Sequence, residues 1–103
     1  MKTALLLIDI QNDYFPGGRM ELDGSPIASL RAKDLLTLFR DRNLPIFHIQ
    51  HISNRNGASF FLPDTVGVEF HANVSPLPGE TIIRKNFPNS FRNTALLTPI
   101  LFT

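Results

Sequence analysis

The feature that most constrains the fold of this chain is an uninterrupted apolar run, Leu5-Leu6-Leu7-Ile8, which ends at an acid, Asp9. Successive side chains of a β-strand point to opposite faces of the sheet. A strand with one solvent-exposed face therefore alternates apolar and polar residues. A run that is apolar at every position is typical of a central strand in a parallel sheet covered on both faces. The sequence therefore predicts a buried strand from Lys2 to Ile10, with Asp9 near its carboxyl end.

A helix is predicted after the Gly-, Asp- and Pro-rich loop that follows this strand. Ser25 is a suitable N-cap, Pro26 fits the first helical position, and Asn43 and Pro45 are typical of a helix end. An apolar stripe at helical spacing is expected to face the sheet, formed by Ala28, Ala32, Leu35 and Phe39.

Two further strands are predicted, at residues 45–53 and 80–87, joined by a connection over residues 54–79. Loops longer than ~12–15 residues are usually functional. A second helix is expected from Ala95, capped by Asn93 or Thr94 and interrupted by Pro99. This order predicts an α/β fold with a parallel, doubly wound, three-layer sheet, of which these residues supply about the first three strands.

Composition narrows the classes of function. The 103 residues are enough for one small domain, and their net charge of +1 comes from scattered basic residues, so neither nucleic acid nor a membrane surface is an expected partner. No apolar run approaches the ~18–20 residues of a membrane span, and no signal-peptide cleavage pattern follows Met1, so a cytoplasmic location is expected. The absence of cysteine excludes disulfides, thiolate metal sites and a cysteine nucleophile within these residues.

Asp9 and Lys85 are the residues with the strongest indication of chemistry. Each lies at the carboxyl end of a predicted parallel strand, where the ligand crevice of such sheets lies. An isolated Asp there is more often a cap, and an isolated Lys usually points into water. Together they suggest an acid and a cation facing one crevice, in which the Lys lowers the pKa of the acid and can hold a substrate oxygen.

At these residues the sequence resembles the isochorismatase-like cysteine hydrolases. The resemblance is carried by ALLLIDIQNDYFPGG from Ala4, FHIQHIS from Phe47 and PLPGETIIRKNFPNSFRNTALL from Pro76, in family order and over nearly the whole chain. The family includes nicotinamidases, N-carbamoylsarcosine amidohydrolases and isochorismatases, so the resemblance implies hydrolysis of amide-type C–N bonds in small molecules. Residues 1–103 would then be the N-terminal part of one such hydrolase domain.

The resemblance implies an Asp-Lys-Cys triad, in which Asp9 takes the thiol proton, Lys85 pairs with Asp9, and the cysteine forms an acyl-enzyme. In the family the cysteine follows a fourth strand, which these residues do not include, so the chain is expected to be inactive on its own. Ser90 has no activating histidine nearby in the sequence and is a poor substitute nucleophile.

No cofactor and no metal ion are expected. His48 and His51 are three apart on a predicted strand, so they point to opposite faces and are poorly placed to bind one ion. Metal-dependent nicotinamidases carry an Asp-x-His pattern just after this strand, and the sequence there lacks it. A Gly-rich phosphate loop of the dinucleotide-binding type is also absent after the first strand.

Substrate-binding candidates come from the loops. Gln11 either hydrogen-bonds near Asp9 or satisfies the loop backbone. Four phenylalanines are expected either to wall a substrate pocket or to fill the core beneath the long connection, with Phe15 and Phe60 the first choices and Phe61 and Phe70 the others.

An alternative to the enzyme is an interaction module. The resemblance implies a sheet ordered 3-2-1-4-5-6, so the first strand would have an open edge in this chain. An unpaired apolar edge is a template for another strand. The sequence therefore also predicts self-association, or pairing with a full-length homologue.

Overall fold

The computed structural model describes residues 3–101 and contains a three-stranded parallel sheet. Its strands are β1 (Leu5–Ile8), β2 (Ile46–His51) and β3 (Thr81–Lys85), in the order β1-β2-β3. Leu5 is paired with Ile46, and His51 with Lys85. The predicted parallel α/β sheet is confirmed. Each strand is shorter than predicted, and Lys2, the predicted start of the first strand, lies outside the described residues.

β1 is apolar at every position because its side chains enter two different cores. Leu7 belongs to a cluster with Leu36, Ile46 and Val74 on one face of the sheet. Leu6 packs against a cluster on the other face, formed by Phe47, Ile49, Ile83 and Leu96. Full burial of such a side chain contributes roughly 1.5–3 kcal/mol, so both faces favour the sheet.

The helix α1 (Ser25–Asp41) begins and ends close to the predicted positions. Pro26 lies in its first turn, and Asn43 just beyond its end adopts a left-handed φ of 52°. The predicted N-cap is wrong: Gly24, at φ 77°, occupies that position, and Ser25 is already helical with its hydroxyl buried and unpaired among the described residues. Glycine adopts this left-handed conformation without steric cost, which explains the shift.

The face of α1 that meets the sheet is rotated from the predicted stripe. Leu36 is fully buried and Ser29 nearly so, whereas Leu35 is 47% exposed and Ala28 is exposed. Ala32 and Phe39 do pack against the core, as predicted. Leucines lie on several sides of this helix, so periodicity alone does not distinguish Leu35 from Leu36.

The connection between β2 and β3 is well structured. It contains two 3₁₀ helices, Val66–Val68 and Ala72–Val74, and runs back beside the loop after β1. There the His71 amide donates to the Ile10 carbonyl at 2.9 Å, and the Asn12 amide donates to the Glu69 carbonyl at 3.0 Å. These bonds fasten the connection to the carboxyl end of β1.

A short helix, α2 (Leu97–Leu101), follows β3 and packs Ile100 against the second core cluster. It begins two residues later than the predicted Ala95. Pro99 lies in its first turn, where a backbone N–H is not needed, so the predicted interruption is wrong. No helix within the described residues is long and apolar enough to cross a membrane.

β1 lies at an edge of the sheet. Within residues 3–101 it pairs with β2 alone, and Ile8 on this strand is 46% exposed. Several further apolar side chains are exposed on α1, among them Ile27, Leu30 and Leu38.

Candidate active site

Asp9 is positioned by the backbone at the point where β1 ends. Its amide still donates to the Ile49 carbonyl at 3.1 Å, but its φ of 59° is left-handed and turns the chain away from the sheet. Asp and Asn adopt this conformation more readily than other residues with a side chain. Oδ1 of Asp9 is buried and accepts no hydrogen bond from the described residues.

Lys85, the last residue of β3, lies beneath Asp9. Its side chain is 1% exposed, and its Nζ is 3.3 Å from Asp9 Oδ1, which makes an ion pair. Nζ also donates to the Pro88 carbonyl at 2.9 Å and contacts Ser90 Oγ at 3.4 Å. The structure therefore brings the two predicted residues together. Pro88 and Ser90 hold the ammonium, and Oδ1 of Asp9 can still accept a hydrogen bond.

Asp9 faces two cavities. The larger, about 410 Å³, will be called the Asp9 cavity and is lined by Asp9, Tyr14, His51, Ser53, Asn54, Arg55, Phe60, Asn86, Phe87 and Pro88. The second, about 290 Å³, lies between the edge strand β1 and the start of α1, and its lining includes Ile8, Leu22 and Ser25. Volumes of this order hold small molecules rather than macromolecules.

Of the predicted substrate-binding residues, only Phe60 lines the Asp9 cavity. Gln11 is fully buried: Nε2 donates to the carbonyls of His51 and Val68, each at 2.8 Å, and Oε1 accepts from the His51 amide at 2.8 Å. Its amide therefore joins the end of β2 to the long connection. Phe15 is buried, stacks on His71 with ring centroids 3.8 Å apart, and lines other cavities.

The other two phenylalanines fill space inside the molecule. Phe61 is fully buried and contacts both Tyr14 and Phe60, at centroid distances of 4.7 and 5.0 Å. Its amide donates to the buried carboxylate of Asp13 at 2.7 Å. Phe70 lies edge-on to His48 at 5.7 Å. Phe60 thus lies on the wall of the Asp9 cavity, and Phe61 packs behind it.

Burial and neighbouring charges shift the pKa of two titratable groups in the cavity wall. The pKa of Tyr14 is raised, first by burial and then by the charge of Asp9. The pKa of His51 is lowered chiefly by burial, with Lys85 and Arg55 adding to the decrease and Asp9 opposing it. His51 is therefore a neutral imidazole at neutral pH.

Sequence reasoning missed most of the cavity lining. His51 is the last residue of β2 and lies at the same edge of the sheet as Asp9 and Lys85, so the strand-end rule could have identified it. Tyr14, Arg55 and Phe87 follow strand ends at varying distances, and no spacing in the sequence distinguishes them from other loop residues.

His48 lies in a separate cluster with Glu80, near the opposite end of the strands. Its Nε2 is 2.8 Å from Glu80 Oε1, and Arg40 donates to both carboxylate oxygens, at 2.7 and 2.8 Å. The guanidinium holds the pKa of Glu80 at about 2, with the Leu77 amide and His48 contributing. Within residues 3–101, no three His, Cys, Asp or Glu side chains are grouped in a way that could hold a metal ion.

A partly buried acid and a buried lysine thus meet at the carboxyl ends of parallel strands of an α/β sheet, beside a small cavity. Residues 3–99 match the family model of the isochorismatase domain, and the chain belongs to this family.

Known proteins of the family align with almost all of this chain. An uncharacterised isochorismatase family protein of Bacillus subtilis, YddQ, is 55% identical over 96 residues, which are 93% of this chain and 53% of that protein. A streptothricin hydrolase of Streptomyces noursei is 29% identical over 90% of this chain and 36% of that protein. The structure of an isochorismatase-type hydrolase from Oleispira antarctica, 40% identical, superposes with a TM-score of 0.90 over 98% of this chain and 55% of that one.

The chain spans about half the length of the first of these relatives and a smaller share of the streptothricin hydrolase. The shared half carries the isochorismatase-family hydrolase fold, including the strands whose ends hold Asp9 and Lys85.

Proposed function

We propose that these residues form the acid-and-lysine half of a hydrolytic site that cleaves amide-type C–N bonds in small molecules. The nucleophile would be a cysteine carried by polypeptide outside the 103 residues, which contain no cysteine themselves. Residues 1–103 would be the N-terminal part of a single hydrolase domain, inactive in isolation.

One observation carries the proposal. Oδ1 of Asp9 lies 3.3 Å from Lys85 Nζ, is buried, and accepts no hydrogen bond from residues 3–101. The ion pair with Lys85 leaves this oxygen without a hydrogen bond, so it can accept one from an S–H group or from water. The neighbouring ammonium of Lys85 forms an ion pair with this carboxylate and holds it at the edge of the cavity.

The chemistry follows from these positions. Asp9 takes the proton from the thiol, the thiolate attacks the carbonyl carbon, and the tetrahedral intermediate expels the amine as it receives that proton. Water then attacks the thioester while Asp9 accepts its proton. The C–S bond breaks, the acid product leaves, and the sulfur regains the proton. Lys85 takes no part in these proton transfers and holds Asp9 in place.

A chimaera tests the proposal. Residues 3–99 replace the matching half of the Bacillus subtilis relative, and ammonia release is measured with a panel of primary amides. We expect turnover by the chimaera and none above background by the 103-residue chain. Asp9→Asn should lower kcat of the chimaera by about 10²–10⁴, the usual contribution of a general base. Lys85→Met should also lower it strongly.

The matched control is Asp34→Asn, because Asp34 is an exposed acid on α1. This variant should retain full activity. Undiminished turnover in the Asp9→Asn chimaera, or turnover by the isolated chain, would refute the proposal.

The exposed edge of β1 favours a second candidate, a non-catalytic interaction module. In residues 3–101 this edge carries no partner strand, and such edges accept strands from other chains. The module would associate with itself or with a longer homologue, and its size in solution distinguishes it from an isolated monomer.

A further inference from the structure

Arg55 places a positive charge at the Asp9 cavity without a partner. The residue is exposed and lines the cavity, and its guanidinium makes no hydrogen bond or ion pair with the rest of residues 3–101. Three arginines of the described residues are engaged: Arg40 binds Glu80, Arg84 donates to Gln50, and Arg92 stacks over the Phe87 ring at 3.7 Å. The five donors of the Arg55 guanidinium are therefore available to a ligand.

The positive charge of Arg55 affects a residue of the cavity wall. It acts on His51 at the end of β2, where it adds to the lowering of the pKa of that imidazole. His51 lies on the cavity wall together with Asp9. Arg55 therefore lies at the exposed rim of the cavity, where its guanidinium can reach both solvent and a bound ligand.

The remaining walls suit a flat molecule. Tyr14, Phe60 and Phe87 contribute aromatic surface, and the rings of Tyr14 and Phe60 are 6.1 Å apart. Phe61 packs against the first two from behind, so their orientation is fixed by a buried residue. Aromatic faces of this kind stack on planar groups.

The charges of the cavity favour one orientation of a bound ligand. The charge of Asp9, which Lys85 offsets in part, disfavours a negatively charged group beside the carboxylate. Arg55 attracts it through charge-assisted, bidentate hydrogen bonds, which carboxylates form well. A substrate with a carboxylate would therefore lie with its amide near Asp9 and its charged end at Arg55.

From this arrangement we infer that Arg55 is a specificity residue, and that the site takes planar amides that carry a carboxylate in preference to neutral ones. The inference rests on the proposed hydrolytic function of the Asp9 cavity and adds the substrate class.

Binding to the 103-residue chain tests it without turnover. The probes are 3-carbamoylbenzoate and its neutral isostere isophthalamide, titrated against labelled protein with amide chemical shifts as the readout. We expect the carboxylate to bind about fivefold to tenfold more tightly, since hydrogen bonds between charged groups are stronger than neutral ones. The preference should shrink in 1 M NaCl, where the Debye length is about 3 Å.

Three variants locate the effect. Arg55→Gln should weaken 3-carbamoylbenzoate binding and remove the preference, while Arg55→Lys, which retains the charge, should keep part of it. Arg31→Gln, a change of the same kind on the exposed surface of α1, should have no effect.

The outcomes separate the two proposals. Equal binding of the probes, or a preference that survives Arg55→Gln, would overturn the role of Arg55 and leave the hydrolytic site standing. If neither probe binds, or if Phe60→Ala leaves both affinities unchanged, the inference fails, while the turnover of the chimaera decides the proposed function separately.

Discussion

Asp9 and Lys85 are held by different means, and this affects how each responds to substitution. The backbone of Asp9 fixes its position, while its side chain is 19% exposed and borders the cavity. Lys85 is enclosed, and its ammonium depends on Pro88, Ser90 and Asp9 for every polar contact. Removal of the acid therefore leaves a buried cation, whereas removal of the cation leaves an acid that water can reach.

We predict that Asp9→Asn destabilises the chain by about 1–3 kcal/mol, because it leaves the buried ammonium without its counter-charge. Lys85→Met should cost less. Adding Lys85→Met to Asp9→Asn should recover part of the loss, with a coupling energy of about 1 kcal/mol or more. Urea unfolding of the wild type, both single variants and the double variant measures this cycle. Additive effects would contradict the ion pair.

Glu80 makes stability depend on acid pH. Its folded pKa of about 2 lies below the ordinary value of 4.5, so its stabilising effect is complete above about pH 5 and is lost as pH falls toward 2. We expect Glu80→Gln to destabilise by about 1–3 kcal/mol at pH 7, through weaker bonds to Arg40, and by much less near pH 2.5.

Urea midpoints of wild type and Glu80→Gln between pH 7 and 2.5 check this dependence. Glu69→Gln, at an exposed position, is the control and should follow the wild-type curve. A constant difference between wild type and Glu80→Gln across this range would refute the assignment.

At this scale, the juxtaposition of Asp9 and Lys85 follows from the sequence, because the carboxyl ends of parallel strands meet at one edge of a sheet. The role of Gln11 does not follow from the sequence, because a side-chain amide can bind either a ligand or the backbone. Its partners, His51 and Val68, are 40 and 57 residues away in sequence. Arg55 escapes prediction for the same reason, since the long connection that shapes its surroundings has no regular period.

Among the elements, α1 shows where pattern reasoning reaches its limit. The predicted bounds agree with the structure because Pro26 and Asn43 act locally on the backbone. The buried face depends on what packs against the helix, namely β1 and the second 3₁₀ helix of the long connection, which donates an Asn73 amide bond to Ser29 at 2.9 Å. The sequence of α1 alone therefore does not determine which of its faces is buried.

The rotation of α1 gives a direct test. Leu36→Ala should destabilise by about 2–5 kcal/mol, since it opens a cavity at a fully buried position, whereas Leu35→Ala at a 47% exposed position should cost less than about 1 kcal/mol. Thermal or urea unfolding of the two neighbouring variants decides the matter. Equal losses would contradict the rotated face, and a larger loss for Leu35→Ala would mean that the helix is turned as the sequence pattern predicts.

For the whole molecule, the edge of β1 and the outer face of α1 are the two exposed apolar regions described above. If the edge mediates association, Ile8→Lys should shift the chain toward monomer, because charged side chains on edge strands oppose strand addition. Ile27→Lys, on the outer face of α1, should leave the size distribution unchanged. Light scattering over a hundredfold concentration range measures both, and dissociation by Ile27→Lys alone would identify the helix as the interface.

Asp9 lies on the boundary between two hollows, both of which it lines together with Tyr14. A small molecule can therefore approach this carboxylate through one entrance while a separate piece of polypeptide approaches through the other, and neither has to leave for its counterpart to arrive. Compounds that extend across the boundary would obstruct both routes at once, which makes this single acid the natural anchor for an inhibitor with two arms.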